Sequence, residues 1–260
     1  MDLTLARTGF PDLLRHWRGV RRISQLELAL RAEVSARHVS FLESGRARPS
    51  RTMVMLLADA LDMPLAERNG LLGAAGFTPA YQARPPGDRA LALPEAALAW
   101  MLDRHAPYPG LALDRHWCLV RANAPARRLL EPAGIGIGDS LLAACGPNGA
   151  LRPLILNWTE VARYLAARLQ TEIEHFGGEP VLARHRDAIL AGLKRPLPDP
   201  VSPILPVVYQ LGGARLSFFS TIAHFGGAGD VALDDLRIEL MFPADEATAA
   251  AMLGETLPAQ

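Results

Sequence analysis

From Phe10 onward the hydrophobic positions keep a helical beat. Phe10, Leu13, Leu14 and Trp17 stand at i, i+3, i+4 and i+7, one apolar stripe of a first helix. Ser24-Gln25-Leu26-Glu27 has the order of a capping box, in which the serine accepts from a free backbone N–H and the glutamate reaches back; it predicts a second helix through Leu28, Ala29 and Ala32. After a break at Glu33 and Val34, Ser35 opens a third helix with Val39 and Leu42 inward, and Gly45 ends it. Ser50 caps a fourth, carrying Met53, Leu56, Leu57, Ala60 and Leu61, and Pro64, at a first-turn position, starts a fifth that stops near Gly76. The pattern predicts five short helices.

Thr78 to Pro94 contains Pro79, Pro85, Pro86, Gly87 and Pro94 with little periodicity and reads as a linker. Beyond it, helical stretches (95–103, 159–176, 182–193) mix with strand-like ones (111–121, 204–211, 216–225, 236–242). Strands joined to helices by Gly and Pro turns indicate an α+β domain with an antiparallel sheet. The domain organisation expected is therefore 1–77 helical, 78–94 linker and 95–260 α+β.

Composition changes this picture in one respect. The chain of 260 residues has 27 basic and 27 acidic side chains and no net charge. The charge is unevenly spread, because ten arginines, Arg7 and Arg15 among them, face only Asp2, Asp12, Glu27, Glu33 and Glu43 over residues 1–51. That segment carries +5 and the remainder −5. A basic module joined to a mildly acidic one points to a polyanion partner for the first part alone. No apolar run approaches the roughly 20 residues of a membrane span, and the N-terminus lacks the basic-then-apolar order of a signal peptide, so the expectation is a cytoplasmic protein with no membrane contact. Cys118 and Cys145 stand far apart without CxxC spacing and read as buried free thiols.

Two capped helices joined by a short turn, inside a basic five-helix domain, form the geometry that lays one helix in the major groove. Ser24 to Ser50, SQLELALRAEVSARHVSFLESGRARPS, closely resembles the helix-turn-helix family of phage repressors and xenobiotic-response-element (XRE) regulators, over about residues 10–76. Glu33 departs from the pattern, where the family often has glycine in the turn; a positive backbone angle would strain a non-glycine residue, and a slightly different turn is expected to accommodate it. The resemblance implies that Ala36, Arg37 and Ser40 fall at exposed, base-facing positions of the third helix. Arg37 leads, since its planar fork bonds guanine O6 and N7 together. Gln25 is implied to bond phosphate and brace the recognition helix, and Arg46 and Arg48 to meet phosphate. Ser35, the cap, and His38, which either meets phosphate or covers the adjoining helix, complete the DNA-facing set.

A second resemblance rests on residues 111–123 (LALDRHWCLVRAN), 157–163 (NWTEVAR) and 225–245 (FGGAGDVALDDLRIELMFPAD). These look like the ligand-binding domain of the MmyB-like transcription regulators over about residues 95–250, which implies a PAS-like antiparallel sheet, helices over one face, and a buried pocket for a small apolar ligand such as a fatty acid. The candidate lining residues are Trp117, Asn123, Leu129, Leu142, Trp158, Phe219 and Phe242, each weighed against membership of a plain core. Alternation allows only one of Phe218 and Phe219 to point inward. Asn123 also reads as a local cap at the strand-to-helix junction. Arg163 and Arg237 either pair a ligand carboxylate or sit in surface salt bridges.

Gly134 to Gly138 lacks the strand–glycine–helix order of a phosphate cradle and reads as a loop. The histidines show no HxxxH or HExxH spacing and there is no GxSxG elbow, so no catalytic residue, metal site or cofactor is expected. The favoured reading is a homodimeric, ligand-responsive regulator on a double-stranded DNA operator. An enzyme fused to a DNA-targeting module, or a C-terminal domain that serves only as a dimerisation or protein-interaction platform, are the alternatives.

Overall fold

Serine hydroxyls open the helices where the capping pattern predicts them. The computed structural model describes residues 9–85, 87–193, 204–226 and 229–254. Asp2 and Arg7 of the basic segment, Pro86 of the linker, and Gly227 and Ala228 of the glycine-rich motif lie outside the described residues. The chain divides into two compact units, one of Met1–Arg84, Thr171–Pro180 and Ala228–Asp234, the other of Pro85–Gln170, Val181–Gly227 and Asp235–Gln260.

The first unit holds α1 (Phe10–Val20), α2 (Gln25–Arg31), α3 (Ala36–Glu43), α4 (Arg51–Ala60) and α5 (Leu65–Ala74). Ser24, Ser35 and Ser50 accept from the backbone N–H groups of Glu27, His38 and Met53 at 3.1, 3.2 and 3.1 Å. Glu27 does not close the capping box; its carboxylate turns along the helix to Arg31 at 2.5 Å, the favourable acid-before-base order of an i,i+4 pair. Pro64 stands at the cap position, one residue before α5 rather than inside its first turn. Leu14, Trp17, Leu28, Val39, Leu42, Leu57 and Leu72 share one buried core.

The turn between α2 and α3 corrects the expectation for Glu33. Its φ is +54°, so the left-handed turn of the glycine version is kept and not replaced. The reason lies in the hydrogen bonding: Val34 N–H returns to Ala29 O at 2.9 Å, the long closing bond of a Schellman motif, which requires the residue before it to be left-handed. Glu33 is solvent-exposed, so its side chain meets no further obstacle. Arg22 and Asp62 occupy the same conformation after α1 and α4, with Ile23 N–H returning to Arg18 O and Met63 N–H to Ala58 O.

The second unit is built on five antiparallel strands: β1 (Gly110–Leu113), β2 (Leu119–Ala122), β3 (Val207–Leu211), β4 (Ala214–Ala223) and β5 (Arg237–Pro243), in the order β2-β1-β5-β4-β3. Residues 111–121, expected as one strand, form a hairpin. Asp114 Oδ1 accepts from His116 and Cys118 N–H at 2.8 and 2.9 Å, and Trp117 takes φ +63°, which reverses the chain. The helices are α6 (Ala92–Arg104), α7 (Ala124–Leu130), α8 (Leu141–Ala144), α9 (Trp158–His175), α10 (Pro180–Ala191) and α12 (Glu246–Leu253); α11 (Val231–Asp234) and the last turn of α9 belong to the first unit.

Helices cover both faces of this sheet, not one. Leu98 and Leu102 of α6 pack with Ala112, Ile238 and Leu240, whereas Leu129 of α7 and Met252 of α12 pack with Phe218 and Met241. Ile238 and Met241 stand at opposite parity on β5, so a strand buried on both sides demands cover on both.

Candidate nucleic-acid interface and ligand site

The α3 helix is braced by a buried acid. Glu43, at its last position, is 2% exposed. Its carboxylate receives Arg18 Nε at 2.7 Å, Arg18 Nη2 at 3.0 Å and Gln25 Nε2 at 2.7 Å, while its carbonyl receives Arg15 Nη2 at 2.6 Å. One side chain thus ties α1, α2 and α3 together. Burial opposes the charge on Glu43, but the bonds from Arg18 and Gln25 and the nearby positive charges outweigh it and hold the carboxyl below its ordinary range. The same bond raises Arg18 above its ordinary value against the opposing effect of burial.

The remaining arginines of the basic segment fall into two groups. Arg15 and Arg31 pair with Asp12 and Glu27, and Arg22 with Glu174. Arg51 donates to Thr78 O. Arg21 lies 5.0 Å over the Trp17 ring and donates to the carbonyls of Leu61, Asp62, Glu174 and His175, closing the C-terminal end of α9. All these serve the scaffold. Arg37, Arg46 and Arg48 are exposed and form no ion pair with a described residue. Arg37 rests over the Phe41 ring at 5.2 Å, one turn further along α3. These three guanidiniums stand on α3 and on the loop that follows it.

The other candidates of the DNA-facing set are less open than expected. Ala36 and Ser40 are half-buried, Ala36 because its methyl packs on the helical core. His38 is half-buried, and Ser35 is exposed with its hydroxyl oxygen engaged as the cap. Gln25 spends its amide N–H on Glu43.

In the second unit the ligand candidates do not converge on one space. Phe219 and Phe242, opposite each other on β4 and β5, stack at 5.6 Å, and His105 meets Phe242 at 4.9 Å. Leu129 belongs to the other face with Phe218 and Met241. Of the two neighbouring phenylalanines, Phe218 is fully buried and Phe219 half-buried. Leu142 is fully buried. Trp158, at the start of α9, lines a cleft of about 520 Å³ with Arg152 and Ile155, and its buried indole N–H meets no hydrogen-bond partner among the described residues. Asn123 must be removed from the lining set. Its oxygen accepts from Gly110 and Ala126 N–H at 3.0 Å each and its amide donates to the Leu102 and Tyr108 carbonyls at 2.9 Å each, so both hydrogens and both lone pairs are spent on the junction.

Trp117 is buried in the hairpin turn with the guanidiniums of Arg168 and Arg237 at 4.3 and 4.7 Å from its ring centre. Arg168 also faces Glu239 at 3.8 Å. Sequence reasoning singled out Trp117 and Arg237 but missed Arg168 and Glu239, which sit amid ordinary helix and strand patterns. Arg163, named beside Arg237, is half-buried on α9. Glu43 and Arg18 were also missed. The signal available for Glu43 was a charged residue directly after the inward Leu42, where the helix face turns toward α1.

Among the described residues no helix is long and apolar enough to cross a membrane. No curated protein matches the chain. Residues 14–68 match the family described as Helix-turn-helix, and residues 94–253, more than half the chain, match the family described as MmyB-like transcription regulator ligand binding domain. The first match covers the braced α2–α3 pair and the second covers the five-stranded sheet. The protein is thus a DNA-binding transcription regulator with a C-terminal ligand-binding domain, and the chain belongs to the MmyB-like transcription regulators.

Proposed function

We propose that the protein binds a double-stranded operator as a cytoplasmic homodimer, reads it with α3, and changes its operator affinity when a small apolar molecule, a fatty acid or similar chain, occupies the C-terminal domain. The DNA-reading part is assigned to 1–77, the linker to 78–94 and the ligand-sensing, dimerising part to 95–260. Arg37 reads a guanine, Arg46 and Arg48 grip phosphate, and Ser35, Ala36, His38 and Ser40 stand at the same surface. Gln25 contributes by holding Glu43 and, through it, α3.

The observation that carries this reading is the sorting of the arginines. Among the described residues Arg37, Arg46 and Arg48 meet no acidic partner, Arg37 resting over its helix neighbour Phe41, whereas phosphate and guanine edges match three exposed guanidiniums on and beside a capped helix. Homodimerisation follows from the small contact area of one helix in one half-site. For the ligand to act as a signal it must favour one DNA-binding arrangement over another, and a five- to 150-fold change in affinity corresponds to roughly 1–3 kcal/mol of coupling.

The test is a titration of delipidated protein with saturated fatty acids of graded length, following thermal stability and binding to a selected operator together. Stabilisation accompanied by an altered operator affinity supports the reading. Stabilisation with unchanged affinity rejects the regulatory role, and no stabilisation at any length rejects the ligand and favours a plain dimerisation or protein-interaction platform.

A further inference from the structure

Arg21 and Arg37 both lie over an aromatic ring, and they use it differently. Arg21, 5.0 Å over Trp17, also spends its N–H groups on the carbonyls of Leu61, Asp62, Glu174 and His175. Arg37, 5.2 Å over Phe41, makes no ion pair or side-chain hydrogen bond with a described residue. Glu33, four positions before Arg37, is left to solvent, and the guanidinium lies one turn in the other direction. A contact through the face of a guanidinium leaves its edge open, with all five N–H donors; a pair with Glu33 would occupy that edge.

Phe41 is itself fixed where α3 ends. Its carbonyl accepts Arg46 N–H at 2.9 Å, Ala47 N–H at 3.2 Å and the Ser44 hydroxyl at 3.2 Å, so the loop bearing Arg46 and Arg48 is tied to the residue whose ring carries Arg37. Leu42, the next residue, is fully buried, and Glu43 after it fastens this end of the helix to α1 and α2. Phe41 is half-buried between that core and the exposed surface of Arg37. An arginine side chain carries rotamer freedom that base readout must freeze, and a ring at i+4 restrains it beforehand.

We infer that Phe41 is a positioning residue for base readout: its ring holds the Arg37 guanidinium by the face and presents the edge to guanine, so the fork is ordered before DNA arrives. The inference rests on the reading of Arg37 above and adds the group that makes it selective. Only a guanine, with O6 and N7 side by side, uses the ordered fork. The gain therefore belongs to the correct base and not to the phosphate contacts of Arg46 and Arg48. Affinity follows the fraction of the protein that has the fork in place, and an exposed cation–π contact changes that fraction by about two- to five-fold.

The test uses a selected operator, the same duplex with adenine at the guanine whose preference Arg37→Ala removes, and a random duplex. Each is titrated with the wild-type chain, Phe41→Leu, Phe41→Tyr, Arg37→Ala and the double variant. Phe41→Leu is expected to lower the preference for guanine over adenine by about two- to five-fold and to leave random-DNA affinity and its salt slope unchanged. Phe41→Tyr, which keeps the ring face, retains the preference. In Arg37→Ala, adding Phe41→Leu changes the preference no further, an outcome that a ring acting only on the fold does not give. Should Phe41→Leu fail to fold, pentafluorophenylalanine at position 41 keeps the ring's shape, reverses the charge of its face and is expected to lower the preference by the same factor at unchanged thermal stability. An undiminished preference in Phe41→Leu or the fluorinated protein, a Phe41→Tyr as unselective as Phe41→Leu, or equal loss on all three duplexes overturns the positioning role and leaves the Arg37 reading standing. A wild type without a guanine preference, or an Arg37→Ala that keeps every preference of the wild type, overturns that reading and this inference with it.

Discussion

Arg18 and Glu43 meet in a two-point ion pair, Nε to Oε1 at 2.7 Å and Nη2 to Oε2 at 3.0 Å, between the first helix of the DNA-binding unit and the last residue of the helix assigned to reading bases. The geometry is the fork-on-carboxylate form that fixes direction as well as distance. It therefore holds the angle of α3 against α1, with Gln25 of α2 as the third anchor.

Replacing Glu43 by Ala leaves Arg18 partly buried without its counter-ion and is expected to cost about 3–5 kcal/mol of stability at neutral pH. The pH dependence has a definite sign. Because the folded-state pKa of Glu43 lies below the ordinary glutamate value of about 4.3, its contribution is complete above that value and is lost as pH falls through the lowered one. Urea denaturation of wild type and Glu43→Gln between pH 7 and pH 3 should show a stability gap that closes on acidification. A constant gap would remove the carboxylate from the account.

Gly177 lies against the Trp17 indole within the first unit, and a Cβ placed there would fall 2.5 Å from the ring at a φ of +76°. The ring has no room to retreat, since Trp17 is buried and covered by Arg21. Gly177→Ala is expected to destabilise by about 1–3 kcal/mol through overpacking and backbone strain together. Gly226→Ala, where nothing stands within 4 Å, is the control and should change stability far less. Equal midpoints for the two variants would show that the Trp17 contact does not constrain the fold.

The cysteines, expected to be buried, are free but only half-buried, and they give a reactivity test. Burial raises the pKa of Cys118, and burial together with the charge of Glu239 raises Cys145 to about 12, so at pH 8 both are thiols and poor nucleophiles. Iodoacetamide at pH 8 should modify Cys145 in urea far faster than in the native protein. Native-state labelling should rise about ten-fold with each pH unit as the thiolate fraction grows, and labelling of native Cys145 at pH 8 as fast as in urea would contradict its raised pKa.

The sequence made some of this legible and left the rest dark for physical reasons. Ser24, Ser35 and Ser50 announced their helices because a cap is a local device, decided by residues three apart. The α2–α3 pair followed from those caps. The hairpin at Asp114 to Trp117 was hidden by an apolar run whose reversal depends on one aspartate and one left-handed tryptophan. Alternation gave the parity of Phe218 and Phe219, but parity does not say which helix covers which face, so Phe219 and Phe242 were grouped with Leu129 although they lie on the opposite side. Asn123 carried both of its readings in the sequence, and only its four satisfied bonds decide between them. Arg168 and Glu239 meet only because α9 crosses β5, a relation that no short spacing encodes.

The claim that α3 reads DNA through Arg37 is tested most directly by selecting binding sites from a random duplex library with the wild-type chain and with Arg37→Ala. The account predicts that the wild type enriches a two-fold-related sequence with a guanine in each half-site, and that Arg37→Ala loses preference at that position alone, at a cost of about 1–3 kcal/mol on the selected site and little on random DNA. An identical consensus from both proteins, or equal loss of affinity on selected and random DNA, would contradict it.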